Sequence, residues 1–459
     1  MFIFRINKKI FLFCICFILE SCANNEYKRP NLDFSDKDKK YNLNNFIIEQ
    51  VEDANLKEIL KVAISENFTI KKNRYKIEKY YARLDIARDA LLPSINVGTK
   101  STYNEISKQG LQGINPFMYQ NYKSFSAATS LEWQIDIFGR IKKQKEEIFS
   151  LLQAQELDNE DLINKIVLKL INEYSLSCTL INQKKIIIEK LELYKKLSDI
   201  YKSRHLAGVG DLFSYNNSLV IIDNVLLELS EIDQQINEVF YRIDILQGRN
   251  IGSSRLVLEP KIKDIPQFKN IIEKPVKSEV IESNRKILAA EKEAMAANSR
   301  VRITFSEYFP RFTFNANVGI ESINSKNIFS KNAKYFNSGI GFSWRIFDFS
   351  KINNEIKEAK AEEKEFLESY KRIVQEVLSS IEIASLKIKK TKESTKILQR
   401  NFDIKMSSYK IQKSYYDAGL KDYIDVVSAK SEMLDSQVKL LNSQNEFVAS
   451  ISEYLASIY

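Results

Sequence analysis

The sequence has few of the residues that catalytic and metal sites usually need. It contains one histidine, His205, and four cysteines, three of which fall within the first 22 residues. It has no nucleophile elbow, no phosphate-binding loop and no cluster of histidine, cysteine and acidic residues. The fourth cysteine, Cys178, has no partner for a disulfide framework and no metal-ligand spacing around it. We therefore expect no enzymatic activity, no metal and no cofactor.

Glycine and proline are also scarce, and their positions are informative. Neither occurs between Arg140 and Ala207 or between Lys351 and Ala418. At a rise of about 1.5 Å per residue, an uninterrupted helix over either run would be about 100 Å long. The two runs therefore predict two helices far longer than those of ordinary globular domains.

The net charge of +9 is not concentrated in a basic stripe. Basic and acidic residues are mixed along the long runs, which is typical of solvated helix faces with i,i+4 pairs. No basic patch is interleaved with aromatic residues, so nucleic acid is not expected as a partner.

The start of the chain is typical of an export signal. A basic stretch precedes the apolar segment Ile10–Leu19, which is too short to span a membrane. The segment ends in Leu-Glu-Ser-Cys, which is similar to a bacterial lipobox with Cys22 as the lipid acceptor. We expect residues 1–21 to be a signal peptide and residues 22–45 a lipidated linker that carries diacylglycerol and palmitate on Cys22. The alternative is a plain secretory signal with an incidental cysteine.

Two segments, 93–136 and 310–347, alternate between apolar and polar residues. This pattern predicts two β-hairpins, each with one apolar face. Strands of about ten residues suit a tilted membrane crossing, although a sheet packed on a soluble core would show the same alternation. Aromatic residues near the strand ends fit an interfacial girdle: Tyr103, Phe125, Trp133, Phe312 and Trp344.

The chain contains a two-fold internal repeat. Trp133 aligns with Trp344, and Gly208 with Gly419, at an offset of 211 residues. Each half is predicted to contain a helix, a hairpin, a very long helix, a turn and a further helix. We expect single helices over about 51–92 and 276–310, before the two hairpins. The predicted parts are a first repeat 46–255 with helices 138–207 and 212–247, a connector 256–275, and a second repeat 276–459 with helices 349–418 and 422–459.

The two hairpins cannot enter lipid alone. Four strands are too few to close a barrel around water, and unpaired strand edges in lipid cost several kcal/mol per group. If the apolar faces contact lipid, several chains must share one barrel.

These segments resemble the TolC-like outer membrane efflux family, particularly its lipoprotein branch that serves multidrug and metal efflux pumps. The similarity covers about residues 26–459 and rests on the repeated order of motifs at matched spacing. The motifs are Cys22 followed by Tyr27–Pro30, Ala90–Ser94, Trp133–Arg140, Ala297–Pro310, Phe347–Lys351, and Tyr416–Val427.

The resemblance implies a mostly helical homotrimer with a long α-helical barrel. Each chain would give four strands to a shared twelve-stranded β-barrel in the bacterial outer membrane, and the helical barrel would lie in the periplasm. Its implied partners are outer membrane lipid, a periplasmic adaptor protein and an inner-membrane pump. The implied function is the exit duct of a tripartite efflux pump for small molecules. The alternatives are a type I secretion duct for proteins and a structural or tethering periplasmic lipoprotein without a channel.

The resemblance also implies a channel gate at the periplasmic aperture. Tyr416, Lys421 and Asp425 match the family's constriction tyrosine, basic latch residue and acidic ring. Three copies of Asp425 around a narrow axis would attract cations, although a solvated helix-end carboxylate is the alternative. Ser428 and Ser214 replace acidic residues that some relatives carry there, so we expect a weaker latch or a pairing of Lys421 with other acidic residues, Asp211 or Asp422.

The glycine-marked turns between the helices are the predicted adaptor contacts. Glycine permits the positive φ that ends a helix, and aspartate is a good N-cap for the next one. Capping alone would also explain this pattern. The candidate contact residues are Gly208, Gly210, Asp211, Gly419 and Asp422.

Overall fold

The computed structural model describes residues 52–105, 121–262, 264–268 and 277–458. Cys22, and with it the predicted signal peptide and lipidated linker, lies outside these residues. The helices and strands, numbered in chain order, are α1 Ala54–Glu66, α2 Phe68–Asp89, β1 Ser94–Asn104, β2 Tyr122–Ile135, α3 Arg140–Leu206, α4 Leu212–Gln247, α5 Ser253–Leu258, α6 Lys277–Ser283, α7 Arg285–Phe305, β3 Arg311–Ser322, β4 Lys334–Ser343, α8 Lys351–Asp417 and α9 Tyr423–Ile458.

The chain divides into two compact units. The first, which we call the strand unit, contains Glu78–Ala154 and Ala290–Tyr370 and holds all four strands. The second, which we call the helical unit, contains the described residues within Asp33–Ile77, Gln155–Ala289 and Lys371–Tyr459.

The strand unit contains one antiparallel sheet in the order β1-β2-β3-β4. The two predicted hairpins pair with each other through β2 and β3, where Thr129 lies opposite Val318. Val97 and Phe336 lie in the same register on the outer strands. Val97 is 79% exposed and Phe336 is 70% exposed, so no other part of the described chain covers this apolar face. The alternative of a sheet packed on a soluble core is therefore not what the described residues form.

The prediction of a single helix before each hairpin was wrong, because each helix is interrupted at an asparagine. Asn67 separates α1 from α2, and its Oδ1 accepts from the backbone N–H of Thr69 at 2.8 Å. Its Nδ2 donates to the carbonyl of Leu246 at 2.8 Å. A buried side-chain cap thus ends one helix and begins the next.

Asn284 interrupts the second predicted helix in the same way, 217 residues later. Its Oδ1 accepts from the N–H of Lys286 at 3.1 Å, and its Nδ2 donates to the carbonyl of Ser457 at 3.2 Å. The offset of 217 also relates Pro93 to Pro310. The internal repeat therefore includes these helix breaks.

The long helices begin two residues later than predicted. Gly139 has φ 72°, and Ser350, which aligns with it at the offset of 211, has φ 69°. Because neither residue has helical φ, α3 begins at Arg140 and α8 at Lys351. The carboxylate of Asp136 accepts from the N–H of Lys142 at 2.9 Å, and that of Asp348 accepts from the N–H of Ile352 at 2.7 Å.

Strand β4 is shorter than the alternation predicts, since it ends at Ser343 and leaves Trp344 and Ile346 outside it. The indole N–H of Trp344 donates to the carbonyl of Tyr308 at 2.9 Å. Trp133 makes the equivalent bond to the carbonyl of Leu91 at 2.9 Å. Each tryptophan thus links the end of a hairpin to the segment that enters it.

The helical unit has an extended apolar core. Its fully buried side chains come from α1, α2, α3 and α4: Leu56, Leu60, Ile70, Leu170, Ile171, Tyr174, Ile236, Phe240 and Ile243. The Tyr174 hydroxyl donates to Asp53 at 2.8 Å, which satisfies the one polar atom of this large buried ring. None of the described helices combines the length and apolar content that a bilayer crossing requires.

Candidate functional site

The candidate site lies in the helical unit, where each long helix ends in a turn. At the end of α3, Gly208 has φ 72°. The N–H of Val209 donates to the carbonyl of Arg204 at 3.0 Å, and the N–H of Gly208 donates to that of His205 at 2.9 Å. These two bonds form a Schellman motif, which satisfies carbonyls that the helix leaves unpaired.

The end of α8 repeats this backbone geometry. Gly419 also has φ 72°. The N–H of Leu420 donates to the carbonyl of Tyr415 at 2.8 Å, and the N–H of Gly419 donates to that of Tyr416 at 2.9 Å. We call residues 208–211 the first tip turn and residues 419–422 the second tip turn.

In the first tip turn, the Asp211 carboxylate accepts hydrogen bonds from Ser214, three residues further along the chain. Its Oδ1 accepts from the backbone N–H of Ser214 at 2.6 Å, and its Oδ2 accepts from the Ser214 hydroxyl at 2.9 Å. Asp211 is therefore the N-cap of α4, and these bonds hold its pKa below the ordinary value of 3.8. The sequence predicts this capping role correctly.

In the second tip turn, Asp422 reaches a different helix. Arg204 Nη2 donates to both carboxylate oxygens of Asp422 at 2.8 Å, and the N–H of Tyr423 donates to Oδ1 at 2.7 Å. The bond from Arg204 is the main cause that lowers the pKa of Asp422. This ion pair, which we call the clasp, joins the end of α3 to the start of α9.

Arg204 was not among the residues singled out from the sequence. Its only sequence signal is a basic residue in the last turn of a helix, which is usually explained by the helix dipole. Its partner lies 218 residues away, and the spacing of single residues gives no indication of it.

The structure places Lys421 in the second tip turn, with Tyr416 at the end of α8 and Asp425 at the start of α9 on either side of it. Lys421 Nζ lies 3.7 Å from the Asp425 carboxylate, and both side chains are partly exposed. The Tyr416 ring packs edge-on against Tyr423, with 5.4 Å between centroids. Lys421 thus contacts Asp425, whereas the expectation was either a weaker latch or a pairing of Lys421 with Asp211 or Asp422. The pair is exposed, so it contributes little to stability.

Gly210 is confined by the helix that precedes it. A Cβ placed there would lie 2.9 Å from Arg204 Cβ and 3.2 Å from the Arg204 carbonyl carbon. The aligned position in the second tip turn is Lys421, which has a side chain. Glycine at position 210 therefore permits close approach to the residue that forms the clasp.

Large apolar side chains are exposed around both tip turns. Val209 is 77% exposed and Phe213 is 79% exposed, and Leu206 and Leu420 are similarly uncovered. Sequence patterning gave no signal for these exposed side chains, because apolar residues at helix ends and in turns do not reveal whether other helices cover them. Exposed apolar patches of this kind often mark protein interaction sites. No cluster of potential metal ligands occurs in the described ranges.

The chain belongs to the outer membrane efflux protein family, whose model matches residues 59–243 and 276–452. It is 20% identical over 382 residues to the outer membrane protein OprJ of Pseudomonas aeruginosa, covering 82% of this chain and 78% of OprJ. It is 19% identical to the toluene efflux pump outer membrane protein TtgF of Pseudomonas putida, covering 84% and 79%.

The fold is similar to that of the CmeC outer membrane channel of Campylobacter jejuni, with a TM-score of 0.83 at 17% identity. That similarity covers 95% of this chain and 93% of CmeC. The family expected from the sequence is confirmed, as is a mostly helical chain with four strands and an internal repeat.

Proposed function

We propose that this chain forms the outer membrane exit duct of a tripartite efflux pump that exports small molecules. The observation that carries the proposal is a four-stranded sheet whose apolar face is exposed and whose outer strands, β1 and β4, each have an edge that no other described strand pairs with. Unpaired backbone groups are too costly in lipid for such a sheet to insert alone.

A homotrimer resolves this difficulty. If β4 of one protomer pairs with β1 of the next, three chains close a barrel of twelve strands with no free edge. The exposed face with Val97 and Phe336 then contacts the outer membrane lipid. In this assembly, the helices of the two structural repeats, residues 46–255 and 276–459, line a tunnel in the periplasm.

The proposed attachment to the membrane includes lipidation of Cys22, followed by the linker 22–45. Several acyl chains would hold the N-terminus firmly, since each buried methylene contributes about 0.8 kcal/mol. Metabolic labelling with palmitate should mark the wild-type protein, and the label should be lost in Cys22→Ser. An unlabelled wild type would exclude this anchor without affecting the duct.

The tip turns are the proposed adaptor contacts, and through the adaptor the duct would meet an inner-membrane pump. Exposed Val209 and Phe213 supply apolar area there. Gly208 and Gly419 form the positive-φ turns and have no other atom within 4 Å of a Cβ placed there, and Gly210 keeps the first turn close to Arg204. The relatives support a role in efflux, since TtgF is named as the outer membrane protein of a toluene efflux pump.

The proposed gate is the second tip turn. In a trimer, three Asp425 carboxylates would surround the axis beside Lys421, and Tyr416 would narrow the passage. A ring of carboxylates attracts cations and repels anions. The clasp between Arg204 and Asp422 would hold the aperture closed. The duct conducts passively, and we assign it no catalytic step.

Planar bilayer recording tests this function. Purified mature protein should insert as trimers and conduct ions, with low conductance while the aperture is closed. Trimers that never conduct, even with Asp425→Ala, would exclude a channel. Conductance by a monomer would exclude the shared barrel.

A further inference from the structure

Four helices of the helical unit lie in a row, with α8 and α4 as its outer members. An ion pair joins each helix to the next: Lys405 with Glu432 for α8 and α9, Lys190 with Asp435 for α9 and α3, and Lys184 with Asp233 for α3 and α4. At the repeat offset of 211, α8 and α9 correspond to α3 and α4. The contact of α9 with α3 therefore joins the second helix of one pair to the first helix of the other.

The outer side of α8 carries an uncovered apolar stripe. Ile397, Ile404 and Ile411 follow one another at intervals of seven residues, and each is at least 50% exposed. Their counterparts in α3 are covered, since Ile186 and Leu193 are only 4% and 5% exposed. In α3 this side packs against α9. The stripe on α8 thus has the residues of a helix contact and, among the described residues, no helix that covers it.

The corresponding side of α4 is uncovered as well. On α9, Ser431 lies at the contact with α3, where its hydroxyl oxygen is 2.7 Å from that of Tyr194. Ser431 corresponds to Val220 of α4, which is 56% exposed. Leu227, seven residues further along α4, is 64% exposed. Both halves of the contact between α9 and α3 therefore recur, on α4 and α8, without meeting within the chain.

A second copy of the chain supplies the missing contact. If α4 of one copy packs against α8 of the next as α9 packs against α3, the two apolar stripes cover each other. Such a contact uses two different surfaces of the chain, so it repeats head to tail and can close into a ring. In the proposed trimer, contacts within chains and contacts between chains would alternate around this ring.

The charges beside the two stripes are complementary. Residues 386–413 of α8 include nine basic and two acidic side chains, whereas α4 includes six acidic side chains and one basic side chain. Opposite charges favour the approach of α4 to α8 and oppose the pairing of two copies of the same helix. The composition therefore favours a contact between unlike helices of adjacent copies.

The contact within the chain also sets the level at which α4 and α8 would meet. Tyr194, which contacts Ser431, corresponds to Lys405 of α8. Because Ser431 corresponds to Val220, the residues around Lys405 lie at the level of Val220. Ile404, next to Lys405 in the sequence, is the apolar residue of the stripe at this level.

We infer that the stripe on α8 binds the stripe on α4 of an adjacent copy. Ile404 lies beside Val220 of that copy, and Ile397, two helical turns away, lies beside its Leu227. The partner is a second copy of this chain. The inference rests on the proposed trimer and adds a helical interface to its shared strand edges.

Cross-linking between two differently tagged copies tests this interface. One full-length copy carries Ile404→Cys and the other carries Val220→Cys, and a short bismaleimide applied to membranes should give dimers with both tags. The control partner is Tyr241→Cys, which is 41% exposed on the same helix but 21 residues from Val220, about 32 Å along the axis. This pair should give no such dimers. The native Cys178 is buried and should not react.

Substitutions at Ile397, in the copy with Ile404→Cys, test the chemistry of the interface. Ile397→Asp should lower the yield of mixed dimers at least about tenfold, because it places a carboxylate in an apolar contact beside the acidic α4. Ile397→Lys should lower the yield less, since acidic residues of α4 can pair with its ammonium group. Ile188→Asp, on an exposed side of α3, is the matched control and should leave the yield unchanged. Ile397 is half-exposed in the single chain, so these changes leave the fold of the chain intact.

Mixed dimers that are absent with Val220→Cys, or equally abundant with Tyr241→Cys, would overturn the interface. Equal losses from Ile397→Asp and Ile397→Lys would overturn the acidic partner helix. If Ile404→Cys does not assemble, Ile397→Cys with Leu227→Cys gives the same test. Conductance is recorded separately. Cross-linked trimers that never conduct would count against the duct and leave the interface standing, whereas conducting trimers without the cross-link would overturn the interface and leave the duct.

Discussion

The two tip turns have the same backbone and different side-chain roles. Gly208 and Gly419 both have φ 72°, and both turns make the same pair of Schellman hydrogen bonds. Yet Asp211 binds Ser214 within its own turn, whereas Asp422 binds Arg204 at the end of another helix. A repeated backbone does not determine what its side chains connect.

The difference has a simple origin in the residues that each long helix presents. The position of Arg204 in α3 is occupied by Tyr415 in α8, and that of Ser214 in α4 is occupied by Asp425 in α9. The Ser214 hydroxyl therefore binds Asp211 close to the first tip turn. Beside the second tip turn, Asp425 replaces this hydroxyl with a carboxylate. Asp422 instead binds Arg204, the only long-helix arginine within reach among the described residues. Asp211 therefore caps a helix, whereas Asp422 forms one half of the clasp.

The largest effect on stability is expected from replacing the positive-φ glycine that both tip turns share. Gly208→Val and Gly419→Val should each destabilise the helical unit by about 1–2 kcal/mol, because a β-branched residue is strained at positive φ. Urea unfolding followed by helical circular dichroism would measure this. Lys421→Ala, in the same turn but without positive φ, is the control and should leave the midpoint nearly unchanged. Clearly unequal losses for the two glycines would show that the turns are not equivalent.

The next effect should separate the clasp from the cap. Arg204→Met removes the ion pair between helices, and an exposed pair is worth about 0.2–1 kcal/mol. We therefore expect the open probability in planar bilayers to rise by about 1.4- to fivefold. Ser214→Ala is the matched variant in the other turn and should leave gating unchanged, since Asp211 keeps its bond to a backbone N–H. Equal gating by both variants would contradict the assignment of the clasp.

A smaller effect should distinguish Asp425 from its aligned partner Ser214. Asp425→Asn removes three carboxylates from the proposed trimer axis, so the preference for cations over anions should fall by about twofold. Reversal potentials in a salt gradient would measure this preference. Asp199→Asn, an exposed carboxylate elsewhere on α3, should not change it. An unchanged preference in Asp425→Asn would leave this residue as a solvated helix-end carboxylate.

Much of this fold could be predicted because its signals are periodic. The absence of glycine and proline predicted α3 and α8 to within two residues, and Gly139, Gly208 and Gly419 mark three of their four ends. The alternation of apolar and polar residues predicted both hairpins. The breaks at Asn67 and Asn284 could not be predicted, because asparagine also occurs within helices. Their role as caps depends on carbonyls of Leu246 and Ser457, far along the chain.

The candidate site shows the same limit. The resemblance to the family placed Tyr416, Lys421 and Asp425 around one turn, and the three residues are close together in the sequence. The clasp could not be predicted from the sequence, because its geometry depends on how α3 packs beside α9 in the helical unit.

The smallest effect concerns acid, and it follows from the direction of one pKa shift. The pKa of Asp422 is held below its ordinary value of 3.8, chiefly by the bond from Arg204. A lowered carboxyl pKa means that the clasp contributes fully above that ordinary value and is lost as pH falls through the lowered pKa. Gating should therefore be nearly constant above about pH 5, and the open probability should rise by less than about twofold near pH 4. Arg204→Met should lack this rise, because its clasp is already absent. A rise of the same size in Arg204→Met would assign the acid response to other carboxylates and separate it from the difference between the two turns.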